Sequence, residues 1–378
     1  MALNLDTFKL PSFPWDSLTP YKELAAKHPQ GLVNLSVGSP VDDTPKSVQQ
    51  ALIGAANSPS YPTVVGTSQL QNAIRKHLGS RGLKFAEGDL VLPTIGSKEA
   101  VALLPWQLGV EPGDTVLIPN CAYPTYEISA LLAHARVVPV DPDPATWPDA
   151  DFVWINYPAN PHGEVASVAR LREIVSWARE HDAVVASDEC YAQLNWAGEE
   201  STPSLLSEEV IAGDNHNLLV LYSLSKQSNF AGYRGAFVAG DQRLIRALIE
   251  LRKHSGFIVP APVQAAMVEA LEDEKSMLAQ KEKYRSRREA LISAVEAAGL
   301  ENDPNATAGL YLWLRTPANA QKTLTSWELV GALAERGILV APADFYQANP
   351  SGHVRMALTA CDEQIAQACE RLKASPII

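Results

Sequence analysis

The sequence predicts an α/β protein: a large domain with a mostly parallel sheet sandwiched by helices, plus a smaller α/β domain. Three observations carry this. Short apolar runs rich in branched residues (TVLIP, RVVPV, FVWI, AVVAS, LLVLY and AFVAG) recur between residues 115 and 240, with helix-period segments between several of them. That alternation belongs to a parallel sheet covered on both faces. Beyond Gly299 strand and helix alternate again on a smaller scale, in GLYLWLR, ILVAP and HVRMAL. A chain of 378 residues also exceeds one ordinary core. The expected division is a large domain over residues 40–260 and a small one built from 1–39 together with 261–378.

Taken in order, residues 1–30 read as a proline-punctuated arm leading into a short helix, PYKELAAKH, with Thr19 placed to cap it and Pro20 in its first turn. LVNLS then runs as a strand into Gly38, Ser39 and Pro40, a tight turn whose backbone N–H groups face either solvent or a ligand. SYPTVVGTSQLQNAIRKHL passes from a Tyr61–Pro62 loop through Gly66 into an amphipathic helix. A second helix opens at Gly96 and Ser97, where free N–H groups and the helix dipole are available to an anion. VASVARLREIVSWAREH is helical, and a charged helical region extends from about residue 241 to Ala298 with a break near HSGFIVPAP. Its KEKYRSRRE stretch carries interleaved glutamates at helical spacing, which marks a solvated face.

Composition excludes several classes. A net charge of −12 argues against nucleic acid or an anionic membrane as the main partner. Cys121, Cys190, Cys361 and Cys369 form no CxxC pair, so neither a metal site nor a disulfide framework is expected. The N-terminus lacks a basic patch followed by an apolar core, and no apolar run reaches membrane-spanning length. The expectation is a soluble cytoplasmic protein.

The chemistry gathers on SLSKQSNFAGYRGAF, residues 223–237. LLVLY would deliver Lys226 at the carboxyl end of a parallel strand, the end where open α/β sheets bind ligands. Taken alone, SxSK reads more simply as a solvated loop lysine. Its neighbours change the reading: Ser223, Ser225 and Arg234 can hold a phosphate dianion around an amine able to condense with an aldehyde. Two earlier runs end in polar residues that would reach the same crevice. AVVAS ends in SDECY, placing Asp188 to pair with a pyridinium nitrogen and Tyr191 to hydrogen-bond a phenolic oxygen; FVWI ends in NYPANPHG, where Asn160 can serve the same oxygen. No GxSxG, strand-linked GxGxxG or GxxxxGK[ST] is present to support a hydrolase or nucleotide-binding reading.

Over essentially its whole length the chain resembles the fold-type I pyridoxal-phosphate enzymes of the class I/II aminotransferase group. The pieces that carry the resemblance are, in order, LSVGSP, YPTVVGTSQL, GSKEA, AYPTY, NPHG, DECY, SLSK with Arg234, and HVRMAL. The resemblance implies pyridoxal 5′-phosphate as cofactor, with Lys226 as the covalent lysine, Asp188 as the pyridinium partner, and Tyr191 and Asn160 on the phenolic oxygen. It implies that Tyr123 stacks on the ring and that Ser97, the Lys98 backbone, Ser223, Ser225 and Arg234 hold the phosphate. Arg355 would fork onto the substrate α-carboxylate beside the Gly38 backbone, and Tyr61 would reach the phosphate of the neighbouring subunit in a homodimer.

The implied reaction is ping-pong transamination between amino acids and 2-oxo acids, with Lys226 taking and returning the Cα proton. FPWDSLTPY, LSVGSPVDDTP and SLSKQSNFAGYRGAFVAGD look most similar to the actinobacterial succinyldiaminopimelate aminotransferases of lysine biosynthesis, which use glutamate and 2-oxoglutarate. Loop APADFYQANPSG is the expected place of side-chain discrimination. An aspartate, alanine or aromatic aminotransferase would share the same residues, and so would a C–S β-lyase of the same fold. A ligand-sensing regulatory domain is disfavoured, since no basic helix-turn-helix precedes the fold.

Overall fold

The apolar runs pair side by side because each carries branched residues on both faces of the pleat, and both faces find helices to bury them. The computed structural model of the chain describes residues 10–198, 201–346 and 352–378. Its strands are β1 (Val33–Asn34), β2 (Leu92–Ile95), β3 (Thr115–Pro119), β4 (Arg136–Val140), β5 (Phe152–Asn156), β6 (Val184–Asp188), β7 (Leu218–Ser223), β8 (Gly235–Gly240), β9 (Glu301–Asn302), β10 (Tyr311–Arg315), β11 (Ile338–Leu339), β12 (Ala341–Pro342) and β13 (Val354–Ala357). Seven of them form the large sheet in the order β2-β8-β7-β6-β5-β3-β4, and β8 alone runs against the others. Every residue of β5, β7 and β8 is buried.

Alternation along these strands divides the core. Leu117, Val153, Val185, Leu218 and Val220 face one helical layer; Val116, Phe152, Trp154, Ala186, Leu219 and Leu221 face the other. Burying each large apolar side chain stabilises the fold by roughly 1.5–3 kcal/mol. Helix ends are fixed locally: Ser167 accepts from Arg170 N at the start of helix Val168–His181, and Thr325 with Glu328 forms a capping box on helix Ser326–Glu335.

The smaller sheet is antiparallel, in the order β12-β13-β10-β9, and β1 pairs in parallel with β11. Leu18, Val33 and Leu35 of the N-terminal arm share its core with Leu312, Val330 and Leu372. Helix Ala261–Glu272 contributes Ala266, Met267 and Ala270 to the core of the large sheet. We propose the two-domain division expected from the sequence, with the second boundary drawn near Asp273 on this packing. No helix among the described residues is long and apolar enough to cross a membrane.

Three local expectations are corrected. β2 has no counterpart among the expected strands because Pro93 interrupts its run; it occupies a sheet edge, where a missing N–H costs no ladder bond, as does Pro139 in β4. Thr19 lies inside helix Thr19–Ala26 and donates to Asp16 O instead of capping, because Pro14–Leu18 already forms a 3₁₀ turn leading into it. ILVAP splits at Val340 into β11 and β12, which join different sheets.

Candidate active site

Strand order brings the polar ends of separate runs to one edge of the large sheet. Asn156 ends β5 directly opposite Asp188 at the end of β6, and Ser223 ends β7 beside Ala236 of β8. β8 runs the other way, so Arg234 enters the same edge from its amino end, next to Ile95 and Gly96 after β2. The cleft above this edge has a volume of about 520 Å³. Gly38, Ser97, Lys98, Tyr123, Asn160 and Asp188 line it, and so do Tyr191, Ser223, Ser225, Lys226, Arg234 and Arg355.

Lys226 lies within a four-residue helical turn, Leu224–Gln227, started by Ser223, whose Oγ accepts from Ser225 N. Its ammonium donates to Gly38 O. Burial holds the amine below the ordinary lysine value, and Arg355 and Arg234 add to that against an opposing pull from Tyr311 and Cys190. A buried amine that is easily made neutral is what a base and nucleophile requires.

Asp188 is 7 % exposed; Tyr126 Oη donates to its Oδ2 over 2.9 Å and Cys190 N to its Oδ1 over 3.1 Å. Burial pushes the carboxyl up, only partly opposed by these hydrogen bonds. Among the described residues it has no ion-pair partner. A buried carboxylate without a cation is costly unless a ligand supplies the charge, and a pyridinium would do so.

Arg355 presents the opposite case. It is 3 % exposed, its Nη1 donates to Asn160 Oδ1 over 2.9 Å and its Nη2 to Ser36 O over 2.8 Å, while Nε has no partner among the described residues. Its guanidinium carbon lies 3.9 Å from the ring centre of Tyr311, 4.9 Å from that of Tyr346 and 5.9 Å from that of Trp15. Among the described residues it pairs with no carboxylate. A fixed, buried, unpaired guanidinium suits a substrate carboxylate.

At the other end lies an anion cradle. Gly96 precedes helix Ser97–Gln107 at φ 76°, and a Cβ there would come within 2.2 Å of the Arg234 guanidinium. Arg234 itself adopts a left-handed backbone conformation and donates to Ala231 O. Ser223 and Ser225 hydroxyls are 2.9 Å apart. Helix N-terminus, arginine and serines together fit a phosphate, so the residues present fit pyridoxal 5′-phosphate at both its charged ends.

Tyr61 stands apart from this cleft and is fully exposed. Of the expected discrimination loop, residues 347–351 lie outside the described residues. The sequence reading missed Tyr126, although it lies three residues beyond Tyr123 within AYPTY, on the next turn of the chain. Asn156 was also missed; it accepts from Asn160 N and donates to Asp188 O, so it orients both. Tyr311, Phe13 and Trp15 complete the cleft from the small sheet and the arm.

The chain belongs to the aminotransferase class I and II family, whose sequence profile matches residues 30–372. Members of this family work with pyridoxal 5′-phosphate. Over 96 % of its length the chain is 47 % identical to 4-dedimethylamino-4-oxo-anhydrotetracycline transaminase OxyQ of Streptomyces rimosus, covering 99 % of that protein. It is 30 % identical to the LL-diaminopimelate aminotransferase of Dehalococcoides mccartyi, over 94 % of this chain and 96 % of that one. Among solved structures, a probable N-succinyldiaminopimelate aminotransferase from Thermus thermophilus superposes with a TM-score of 0.82 at 27 % identity, over 96 % of this chain and all of the other.

Proposed function

We propose that this aminotransferase moves the amino group between N-succinyl-LL-2,6-diaminopimelate and 2-oxoglutarate, in the cytoplasm and as a homodimer. The observation that carries the transamination chemistry is the pairing of buried charges around Lys226 that, among the described residues, are unmatched: a carboxylate without a cation at Asp188 and a guanidinium without a carboxylate at Arg355, in one cleft. The bound cofactor supplies an electron sink for the pair released when the substrate Cα–H bond breaks. Arg355 grips the α-carboxylate, Asn160 keeps the guanidinium oriented, and Lys226 takes the Cα proton and later returns it. The Lys226–Gly38 hydrogen bond fixes the amine in the cleft, and burial holds it below the ordinary lysine value, which makes the neutral base easier to reach.

The dicarboxylic character of the substrate is supported by Lys98, exposed at the cleft with its ammonium 6.0 Å from the Phe13 ring centre. It offers a second cation to a distal carboxylate such as that of a succinyl group or of 2-oxoglutarate. The similarity to a probable N-succinyldiaminopimelate aminotransferase and to LL-diaminopimelate aminotransferases supports the same substrate class. A second reading, amination of a ring ketone, is favoured by the 47 % identity to the tetracycline-pathway transaminase.

The test is a ranking of kcat/KM for N-succinyl-LL-diaminopimelate, LL-diaminopimelate, aspartate, alanine, an aromatic amino acid and cystathionine, each with 2-oxoglutarate. A preference of about tenfold or more for the succinyl substrate, equivalent to about 1.4 kcal/mol, supports the proposal. Pyruvate and ammonia formed from cystathionine without an acceptor would indicate a lyase. A preference for a cyclic oxo acceptor over every acyclic one would replace the substrate assignment.

A further inference from the structure

Tyr311 stands at the junction of the groups assigned above. Its hydroxyl lies 3.2 Å from the Tyr191 hydroxyl, and its ring face lies 3.9 Å from the Arg355 guanidinium carbon. A Cβ on Gly38 would come within 2.1 Å of its hydroxyl oxygen, so the phenol packs against the segment whose carbonyl accepts from Lys226. Pairing of β10 with β13 sets Tyr311 opposite Ala357 and Trp313 opposite Arg355, which fixes the ring and the guanidinium on adjacent strands. The side chain is 5 % exposed.

We propose that Tyr311 is a positioning residue that couples the carboxylate site at Arg355 to Tyr191, so that a substrate carboxylate on the arginine alters the hydrogen bond between the two phenols. This rests on the roles proposed for Arg355 and Tyr191. The physical link is direct. Burial pushes the Tyr311 phenol up, but the charges of Arg355 and Lys226 and the hydrogen bond from Tyr191 outweigh it and hold it below the ordinary tyrosine value. Tyr191 is pushed well up, by burial first and then by Tyr311. Arg355, Lys226 and Tyr191 face the Tyr311 hydroxyl or ring, with Tyr123, Tyr346 and Tyr284 beyond them. A carboxylate bound to Arg355 cancels the cationic field. Tyr311 then takes a proton from solvent at a pH where it had been ionised, and the Tyr191–Tyr311 hydrogen bond changes from charged to neutral.

The experiment is a pH titration of the full-length, cofactor-bound protein labelled with [13Cζ]tyrosine, with and without maleate, with Tyr311→Phe used to assign the resonance. The coupling predicts that the Tyr311 signal titrates ahead of the exposed tyrosines and moves to higher pH when maleate binds. It also predicts that, at a pH where Tyr311 is protonated, Tyr311→Phe, which keeps the ring, holds maleate within about twofold of the parent, while Tyr311→Leu weakens it about fivefold through the lost cation–π contact. If maleate binds no more weakly to Arg355→Lys than to the parent, the carboxylate site is misassigned and the coupling falls with it. If maleate binds through Arg355 and the Tyr311 signal does not move, the coupling alone is overturned.

Discussion

The Tyr126 hydroxyl donates to Asp188 Oδ2 over 2.9 Å, linking the helix after β3 to the end of β6. This bond orients a carboxylate that is otherwise held by Cys190, through its backbone N–H and its thiol. Because burial holds the Asp188 carboxyl above its ordinary value, the native cofactor-free chain keeps a proton that the unfolded chain has released. Stability therefore falls as pH rises from the ordinary carboxylate value through the raised one. Asp188→Asn should remove that slope and raise the thermal midpoint of the cofactor-free protein at neutral pH. The same change should weaken cofactor binding and lower kcat by about a hundredfold or more, the scale of losing one partner of a buried charge pair. Calorimetry and cofactor titration on one preparation check both signs.

Arg355→Lys should raise KM for the amino acid about ten- to a hundredfold, as the loss of charge-assisted hydrogen bonds worth about 1.5–3 kcal/mol implies. A lysine offers one point charge where Arg355 offers a planar fork, and Asn160 Oδ1 loses its donor. Steady-state kinetics with glutamate, set against kcat for the same variant, measure the split.

Asp42 anchors the segment that follows Gly38. Both its oxygens take Arg287 Nη groups at 2.7 Å, and Arg287 Nε reaches Asp362 at 2.7 Å, so three parts of the chain meet at one guanidinium. Burial raises the Asp42 carboxyl, but hydrogen bonds from Arg287 and Gln280 and the charges of Arg287 and Lys283 outweigh it and hold it below the ordinary value. Its contribution is present above the unfolded value and lost as pH falls through the lowered one. Asp42→Asn should cost about 3 kcal/mol and flatten that acid limb. Urea unfolding at neutral and acid pH would show both effects.

Much of the large sheet was legible because each strand is a compact apolar run that ends in a polar residue, as AVVAS does in Asp188 and LLVLY in Ser223. Period and composition locate such ends without any knowledge of pairing. β2 was not legible because Pro93 breaks its run, and only its place at the sheet edge explains the tolerance. Tyr311 and Trp15 lie far in sequence from Lys226, and no local pattern shows that the small sheet and the arm close over the cleft. Asn156 read only as the first residue of the polar stretch after FVWI; its hydrogen bond to Asp188 depends on the register of β5 with β6, and it also accepts from Asn160 N.

The exposed Tyr61 gives the proposed dimer a test of its own. If Tyr61 serves the partner's phosphate site, Tyr61→Ala and Lys226→Ala chains, each nearly inactive alone, should regain activity when refolded together. Mixed dimers hold one intact site, so an equal mixture should reach about a quarter of wild-type activity. Activity that stays at the sum of the two variants would place Tyr61 outside the site.

The most direct measurement of the central claim is the half-reaction in the absence of any acceptor. The cofactor-loaded protein is mixed with glutamate, and both the cofactor's absorbance and the 2-oxoglutarate formed are followed. Conversion of the cofactor to its amine form, with one 2-oxoglutarate per site and reversal on adding 2-oxoglutarate, is the predicted result; Lys226→Ala should abolish it. Turnover of glutamate or of the succinyl substrate to ammonia, with the cofactor left unchanged, would contradict transamination through Lys226.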